Sequence, residues 1–186
     1  MSSLVNFPIA IIGVACRLPG GIRSLDNLWS VISQKKDAVT RIPPERWDTS
    51  LYLHPRRNMQ GRAVTDCAGV IDGIYDFDQS FFGISRTEAE AMDPQQRILL
   101  ELTWEALEDA GIIPSTLSGS DTAVFVGAAS TDAGSIHADD ICSTTPYSMT
   151  GTNLSIISNR ISYIYNFHGP SMTIDTACSS AMHALH

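Results

Sequence analysis

Two short, unbroken apolar runs punctuate the chain, Ile9-Ala10-Ile11-Ile12-Gly13-Val14 and Ala123-Val124-Phe125-Val126-Gly127. Each is rich in β-branched residues and closed by small ones, the pattern of a strand buried on both faces. Between them the pattern changes to helical spacing. Asp93 can cap, Pro94 suits the first helical position, Gly111 can close the element, and Ile98, Leu99, Leu102, Ala106 and Leu107 recur along one stripe. This predicts a helix from Pro94 to Ala110, with Trp104 and Leu107 assigned to the core rather than to a ligand. An earlier helix is predicted from Leu25 to Lys36, with Leu28, Trp29 and Ile32 turned inward.

From Asp37 to Asp78 the periodicity fades, and Pro43, Pro44, Pro55 and several glycines interrupt it. The stretch reads as a long surface excursion with short strands, a length that compact domains keep for binding or for packing on a partner. The last third reads helix, strand, helix. Leu154, Ile157, Ile161 and Ile164 place one buried face on a helix from Thr152 to Tyr165, which His168-Gly169-Pro170 breaks. Ser171 to Asp175 then makes a strand, and Ala181-Met182-His183-Ala184-Leu185 has helical propensity. Alternating strands and helices, with no internal repeat or flexible linker, predict one α/β domain over residues 1–186, built on a mainly parallel sheet.

Composition adds little to that class, since 44% apolar and 17% charged residues make an ordinary globular balance. Charge is more informative. The net value of -8 argues against nucleic acid or an anionic membrane as principal partner, because both reward a basic face. Residues 1–62 nevertheless carry +5 and residues 63–186 carry -13. Arg41, Arg46, Arg56, Arg57 and Arg62 therefore form either a solvated loop surface or a face for an acidic partner or a phosphate. No leader pattern opens the chain and its first apolar run is too short to span a membrane, so a cytoplasmic location is expected.

Cys16, Cys67, Cys142 and Cys178 form no C-x-x-C pair and have no closely spaced histidine, so no metal site and no redox dithiol is expected. Cys178 differs from the rest in its setting. It falls where a predicted strand hands over to a predicted helix, so that helix-start amides can stabilise a thiolate and a developing oxyanion. Thr176, Ala177, Ser179 and Ser180 surround it with small side chains, which permit a sharp turn and close approach of a thioester. Position alone leaves the alternative of a small buried hydrophobe open. Cys16 is read as ending the first buried strand, and Cys67 and Cys142 as lying in loops.

The motifs around these residues resemble the β-ketoacyl synthases of type I polyketide synthases. Pro8 to Gly13 and Arg17-Leu18-Pro19-Gly20 look like that family's opening strand and turn, and Ile42-Pro43 with Arg46-Trp47-Asp48 like its I-P-x-x-R-W-D segment. Phe77-Asp78 through Ser85 is similar to F-D-x-x-F-F-G-I-S, Met92 to Arg97 to M-D-P-Q-Q-R, and Thr103 to Gly111 continues the likeness up to Asp175-Thr176-Ala177-Cys178-Ser179-Ser180. Ala181 and Met182 depart from it, standing where the family often has serine and leucine.

The resemblance implies a thiolase-like fold, of which this chain carries the first, N-terminal half with insertions. It implies that Cys178 accepts an acyl group from the phosphopantetheine arm of an acyl carrier protein, with no bound cofactor. A malonyl-type thioester is then decarboxylated and condensed. It further implies that the strand before Cys178 pairs across a homodimer two-fold, and that the basic N-terminal third, Arg56, Arg57 and Arg62 in particular, docks the carrier. The family's two catalytic histidines, in H-G-T-G-T and K-x-x-x-G-H motifs, are expected downstream of His186, as is a second oxyanion donor, so condensation by these residues alone is not expected. His54, His137, His168, His183 and His186 are read as solvated or satisfied; His183, five residues along from Cys178, misses the helical spacing of three or four. Two other readings stay open, a non-catalytic dimerising or decoy fragment and a ketosynthase of fatty acid synthesis.

Overall fold

The computed structural model describes residues 8–130, 132, 142 and 144–186. The chain forms two compact units, one made of Cys16–Gly73 and the other of Met1–Ala15 with Ile74–His186. The first unit holds most of the predicted excursion with the helix that precedes it, while residues 74–78 of that excursion belong to the second. Helix α1 (Leu25–Ser33) starts where the Ser24 hydroxyl accepts the Asn27 N–H, and it ends three residues short of the predicted Lys36 as Lys35 turns to a φ of 53°. Its expected inward face is not buried: Trp29 is 70% and Ile32 57% exposed, and Leu28 alone is half-buried. The unit is small, and Ile22 is its one fully buried apolar residue among those described, so there is little core for a helix stripe to enter. Strands β1 (Val39–Arg41) and β2 (Cys67–Gly69) pair antiparallel, with Val39 opposite Gly69, and between them lies the single turn α2 (Thr49–Tyr52). Cys67 thus belongs to a strand and not to a loop.

The second unit holds the core. Helix α3 (Arg86–Ala91) is capped by Ser85, whose hydroxyl accepts the Glu88 N–H. Helix α4 (Pro94–Asp109) follows the sequence signals closely: Asp93 accepts the Gln95 N–H, Pro94 opens the helix, and Gly111 follows the cap at a φ of +67°. Its Leu100 is fully buried against Ile84, Met92, Ile161, Tyr165 and Phe167, with Trp104 and Leu107 packed at the edge. Strand β3 (Val124–Gly127) comes next. The helix predicted from Thr152 starts two residues later, as α6 (Leu154–Tyr165), because Asn153 is non-helical and its side chain caps α6 at Ser155; Thr152 instead closes α5 (Ser148–Thr152), a short helix the apolar spacing did not predict. Asn166, left-handed at a φ of 54°, closes α6. Strand β4 (Ser171–Ile174) pairs parallel with β3, and a short helix α7 (Ser180–Leu185) ends the chain.

The first apolar run does not form a strand. Ile9, Ile11 and Ile12 are 94%, 74% and 66% exposed, and no segment pairs with them among the described residues. A strand is defined by its neighbour, and β3 and β4 pair only with each other. The run instead lies along α4, where the Val14 N–H donates to Asp109 and a Cβ on Gly13 would come within 2.9 Å of the Ala110 Cβ. A cavity of about 460 Å³ lined by Ile12, Leu102, Ala106, Val124 and Phe167 remains there. Cys16 accordingly ends no strand. Nor is β3 buried on both faces, since Phe125 is 43% exposed. Among the described residues no helix is long and apolar enough to cross a membrane.

Candidate functional site

The turn that carries Cys178 is assembled from β4, α6 and α7. Strand β4 is fastened to α6 by Thr173, whose hydroxyl accepts the Ser158 N–H at 3.3 Å and lies 3.0 Å from the Ser158 hydroxyl. Helix α6 is positioned in turn by Arg160. Its guanidinium, 7% exposed with the rest of the residue, donates to Gln96 of α4 and to Glu88 of α3, both at 2.6 Å, and to the Thr150 carbonyl of α5. Gln96 also donates to the Thr150 and Gly151 carbonyls, so one buried polar network joins four helices. Tyr165 adds a hydrogen bond of 2.8 Å to the Leu100 carbonyl, and burial pushes its phenol above the ordinary range.

Past Ile174 the chain reverses sharply. The Asp175 carboxylate accepts the Ala177 N–H at 2.9 Å, and Ala177 takes a φ of 54°, a left-handed conformation that an L-residue adopts at a cost of about 1–2 kcal/mol. A 3-10 turn over Ala177–Ser179 then leads into α7 and leaves Cys178 exposed. The Ser180 hydroxyl, in a residue only 4% exposed, accepts the Thr176 N–H at 2.9 Å and donates to the Ala177 carbonyl at 2.7 Å. Thr176 and Ser179 meet through their hydroxyls at 3.0 Å. Strand β3 abuts this turn through Gly127, where a Cβ would fall 2.5 Å from the Ser180 carbonyl carbon and from the Ala181 Cα.

Thr176, Ala177, Ser179 and Ser180 are therefore brought together around Cys178. His183 engages the same turn: its Nδ1 lies 3.1 Å from the Ser179 carbonyl and 3.2 Å from the Thr176 hydroxyl. The imidazole ring thus sits against both the backbone and a side chain of the turn. Arg56, Arg57 and Arg62 lie in the other unit, all exposed, on a loop that the His54 and Ala63 N–H groups close by donating to the Ala63 and Tyr52 carbonyls. Arg46 donates to the Ile71 carbonyl and Arg41 faces Asp66 at 3.7 Å. His54 accepts the Arg56 N–H, His168 pairs with Asn166, and His137 lies outside the described residues.

Sequence reasoning passed over three contributors. Asp175 could have been found as an acidic residue two before the left-handed position, Arg160 as the sole charge in α6, and Gly127 as a strand-ending glycine facing another backbone.

Residues 6–186 match the family model described as the N-terminal domain of beta-ketoacyl synthase. The chain is 46% identical over 179 residues to the phthioceranic/hydroxyphthioceranic acid synthase of Mycobacterium tuberculosis, covering 96% of this chain and 8% of that protein. It is 47% identical over 182 residues to a highly reducing polyketide synthase of Pyrenophora dematioidea, covering 96% of this chain and 7% of that one. Among solved structures, the oxazolomycin ketosynthase domain of Streptomyces albus superposes with a TM-score of 0.86 at 35% identity, over 95% of this chain and 30% of the other. The module 6 ketosynthase of the bacillaene synthase of Bacillus subtilis gives 0.77 at 34% identity, over 95% and 28%. The chain thus spans less than a third of each of these relatives, and the α/β arrangement of α4, β3, α6 and β4 is that of their thiolase-like fold. With motifs, fold and similarity in agreement over nearly every residue, the chain belongs to the beta-ketoacyl synthases and spans their N-terminal domain.

Proposed function

We propose that Cys178 is the acyl acceptor of a polyketide-forming β-ketoacyl synthase. The observation that carries this reading is the exposed thiol on a backbone turn braced by Asp175, Ser180 and β3, at the end of a parallel strand. In this reading the Cys178 thiolate attacks the carbonyl carbon of a carrier-bound thioester, and the π pair moves to oxygen. The Cys178 amide stabilises that oxyanion. Collapse expels the carrier's phosphopantetheine thiolate, which takes up a proton, and leaves the acyl group on sulfur. In the second stage a malonyl-type thioester loses CO₂, and the electron pair of the broken C–C bond becomes an enolate. Its carbon attacks the acyl-Cys178 carbonyl, and the Cys178 thiolate departs. The family resemblance assigns this stage to two histidines in H-G-T-G-T and K-x-x-x-G-H motifs, which the 186 residues do not contain.

The partner that fits the first stage is an acyl carrier protein, an acidic protein bearing a phosphopantetheine arm. Arg56, Arg57 and Arg62 on their closed loop pair with no carboxylate among the described residues and suit such a surface. A homodimer is supported by β4, one edge of which carries no strand among the described residues. The thiols of Cys16, Cys67 and Cys178, none of them in a disulfide, accord with a reducing, cytoplasmic compartment.

The test is intact mass after incubation with an acyl-carrier thioester. An acyl adduct on the unmutated chain that is lost in Cys178→Ala supports the reading. No adduct, beside acylation of a solved ketosynthase as control, favours a scaffold or decoy. Weaker carrier binding at low salt on replacing Arg56 and Arg57 by glutamate supports the docking face, and unchanged affinity removes it.

A further inference from the structure

The Ser180 hydroxyl holds a peptide plane as well as a turn. It donates to the Ala177 carbonyl at 2.7 Å, and the Ser180 N–H donates to that same oxygen. It also accepts the Thr176 N–H at 2.9 Å, so one buried side chain grips the backbone on both sides of Ala177. The Ala177 carbonyl and the Cys178 N–H belong to one planar, trans peptide unit and point in opposite directions. Anchoring the oxygen therefore fixes where the Cys178 N–H points. Ala177 is left-handed, so without the anchor the backbone on either side of it relaxes toward the ordinary regions.

We infer that Ser180 is a positioning residue that aims the Cys178 amide at the oxyanion formed when Cys178 attacks a thioester. This rests on the acyl-acceptor reading above. It assigns the hydroxyl a task beyond the small size for which the sequence selects it, and it separates two reactions of one thiol. Thioester attack builds negative charge on oxygen and needs the aimed N–H. Displacement of iodide from iodoacetamide forms a C–S bond, releases iodide and places no charge on oxygen, so it needs the thiolate alone.

The experiment compares the full chain with Ser180→Ala and Ser180→Thr. It follows acylation of Cys178 by an acyl-pantetheine thioester and peptide-resolved alkylation of Cys178 by iodoacetamide from pH 6 to 10. Loss of one oxyanion donor typically costs about a hundredfold in rate, so Ser180→Ala is expected to acylate about 10- to 100-fold more slowly. Its alkylation profile should keep its midpoint and stay within about threefold in rate, and Ser180→Thr, which retains the hydroxyl, should restore acylation. Unchanged acylation in Ser180→Ala overturns the inference. So do an equal loss in both reactions, which places Ser180 at the thiol, and loss of helical circular dichroism, which makes it a support of the fold. If the unmutated chain takes no acyl group, the acyl-acceptor reading fails separately. The N–H residual dipolar coupling of Cys178 then decides: a change in Ser180→Ala that Ser180→Thr reverses supports the brace, and an unchanged coupling overturns it.

Discussion

Replacing Gly127 by alanine tests whether β3 sets the position of the cysteine turn. The new Cβ would fall 2.5 Å from the Ser180 carbonyl carbon and the Ala181 Cα, and closer still to the Ala181 nitrogen. Carbon atoms in contact prefer about 3.5–4.0 Å, so α7 must recede by roughly 1 Å. All three contacts are backbone atoms, and no side-chain rotation can relieve them. Overpacking of this kind costs about 1–3 kcal/mol, and a displacement of about 1 Å at a reacting group costs on the order of a hundredfold in rate. Gly83→Ala is the matched control. Gly83 sits at a φ of +66° with nothing within 4 Å of its missing Cβ, so alanine there meets backbone strain of about 1–2 kcal/mol but pushes on nothing. Urea unfolding should show both variants destabilised to a similar degree. Intact-mass kinetics of acyl transfer should show only Gly127→Ala slowed, by tenfold or more. Acylation of Gly127→Ala within threefold of the unmutated rate, or an equal slowing in Gly83→Ala, would refute the argument that β3 sets the turn.

Two further outcomes follow from the buried network and from an exposed cap. Glu88→Ala strands the Arg160 guanidinium, whose side chain is 6% exposed, without its carboxylate; a loss of about 3–5 kcal/mol is expected in the urea midpoint at constant slope, with a smaller loss in Glu88→Gln, and a loss under about 1 kcal/mol would count against the network. The Ser50 hydroxyl, followed by the Ser50 N–H, holds the Asp48 carboxyl below its ordinary value of 3.8. A depressed acid of this kind favours the fold above pH 3.8, and the contribution is lost as pH falls through the folded value. Carboxyl NMR titration should place Asp48 below 3.8 and show Ser50→Ala moving it upward; an unmoved midpoint would exclude the hydroxyl as the cause.

The parts of the fold legible in the sequence were those decided locally. Asp93, Pro94 and Gly111 fix the ends of α4 through their own side chain, ring and φ, so no distant residue needs to be known. The change from strand to helix at Cys178 is local in the same way. The Ile9 to Val14 run failed as a strand because strand formation is a property of a pair, and an apolar string cannot state whether a partner is at hand. Trp29 and Ile32 failed for a related reason, since a helical stripe predicts a face but not the core to receive it. Asn153 was passed over because the apolar spacing from Leu154 onward fixes the face of the helix but not its first residue, although asparagine is among the best caps. At the site, the identity of Cys178 was readable from its motif, but the tasks of Ser180, Asp175 and Gly127 depend on hydrogen bonds and contacts that small size alone does not encode.

The Arg160 network also sets an order of events during synthesis. Gln96 and Glu88 are made 64 and 72 residues before the arginine that pairs with them. At roughly 5–20 residues per second, α3 and α4 wait about 3–14 s on the ribosome before that arginine is made. During that interval Glu88 lacks its partner and Leu100, fully buried in the finished fold, has no Ile161 or Tyr165 to cover it. The nascent chain therefore carries α4 with its Leu100 face uncovered and α3 with an unmatched carboxylate, and β4 with its cysteine turn can lock only after α6 has docked.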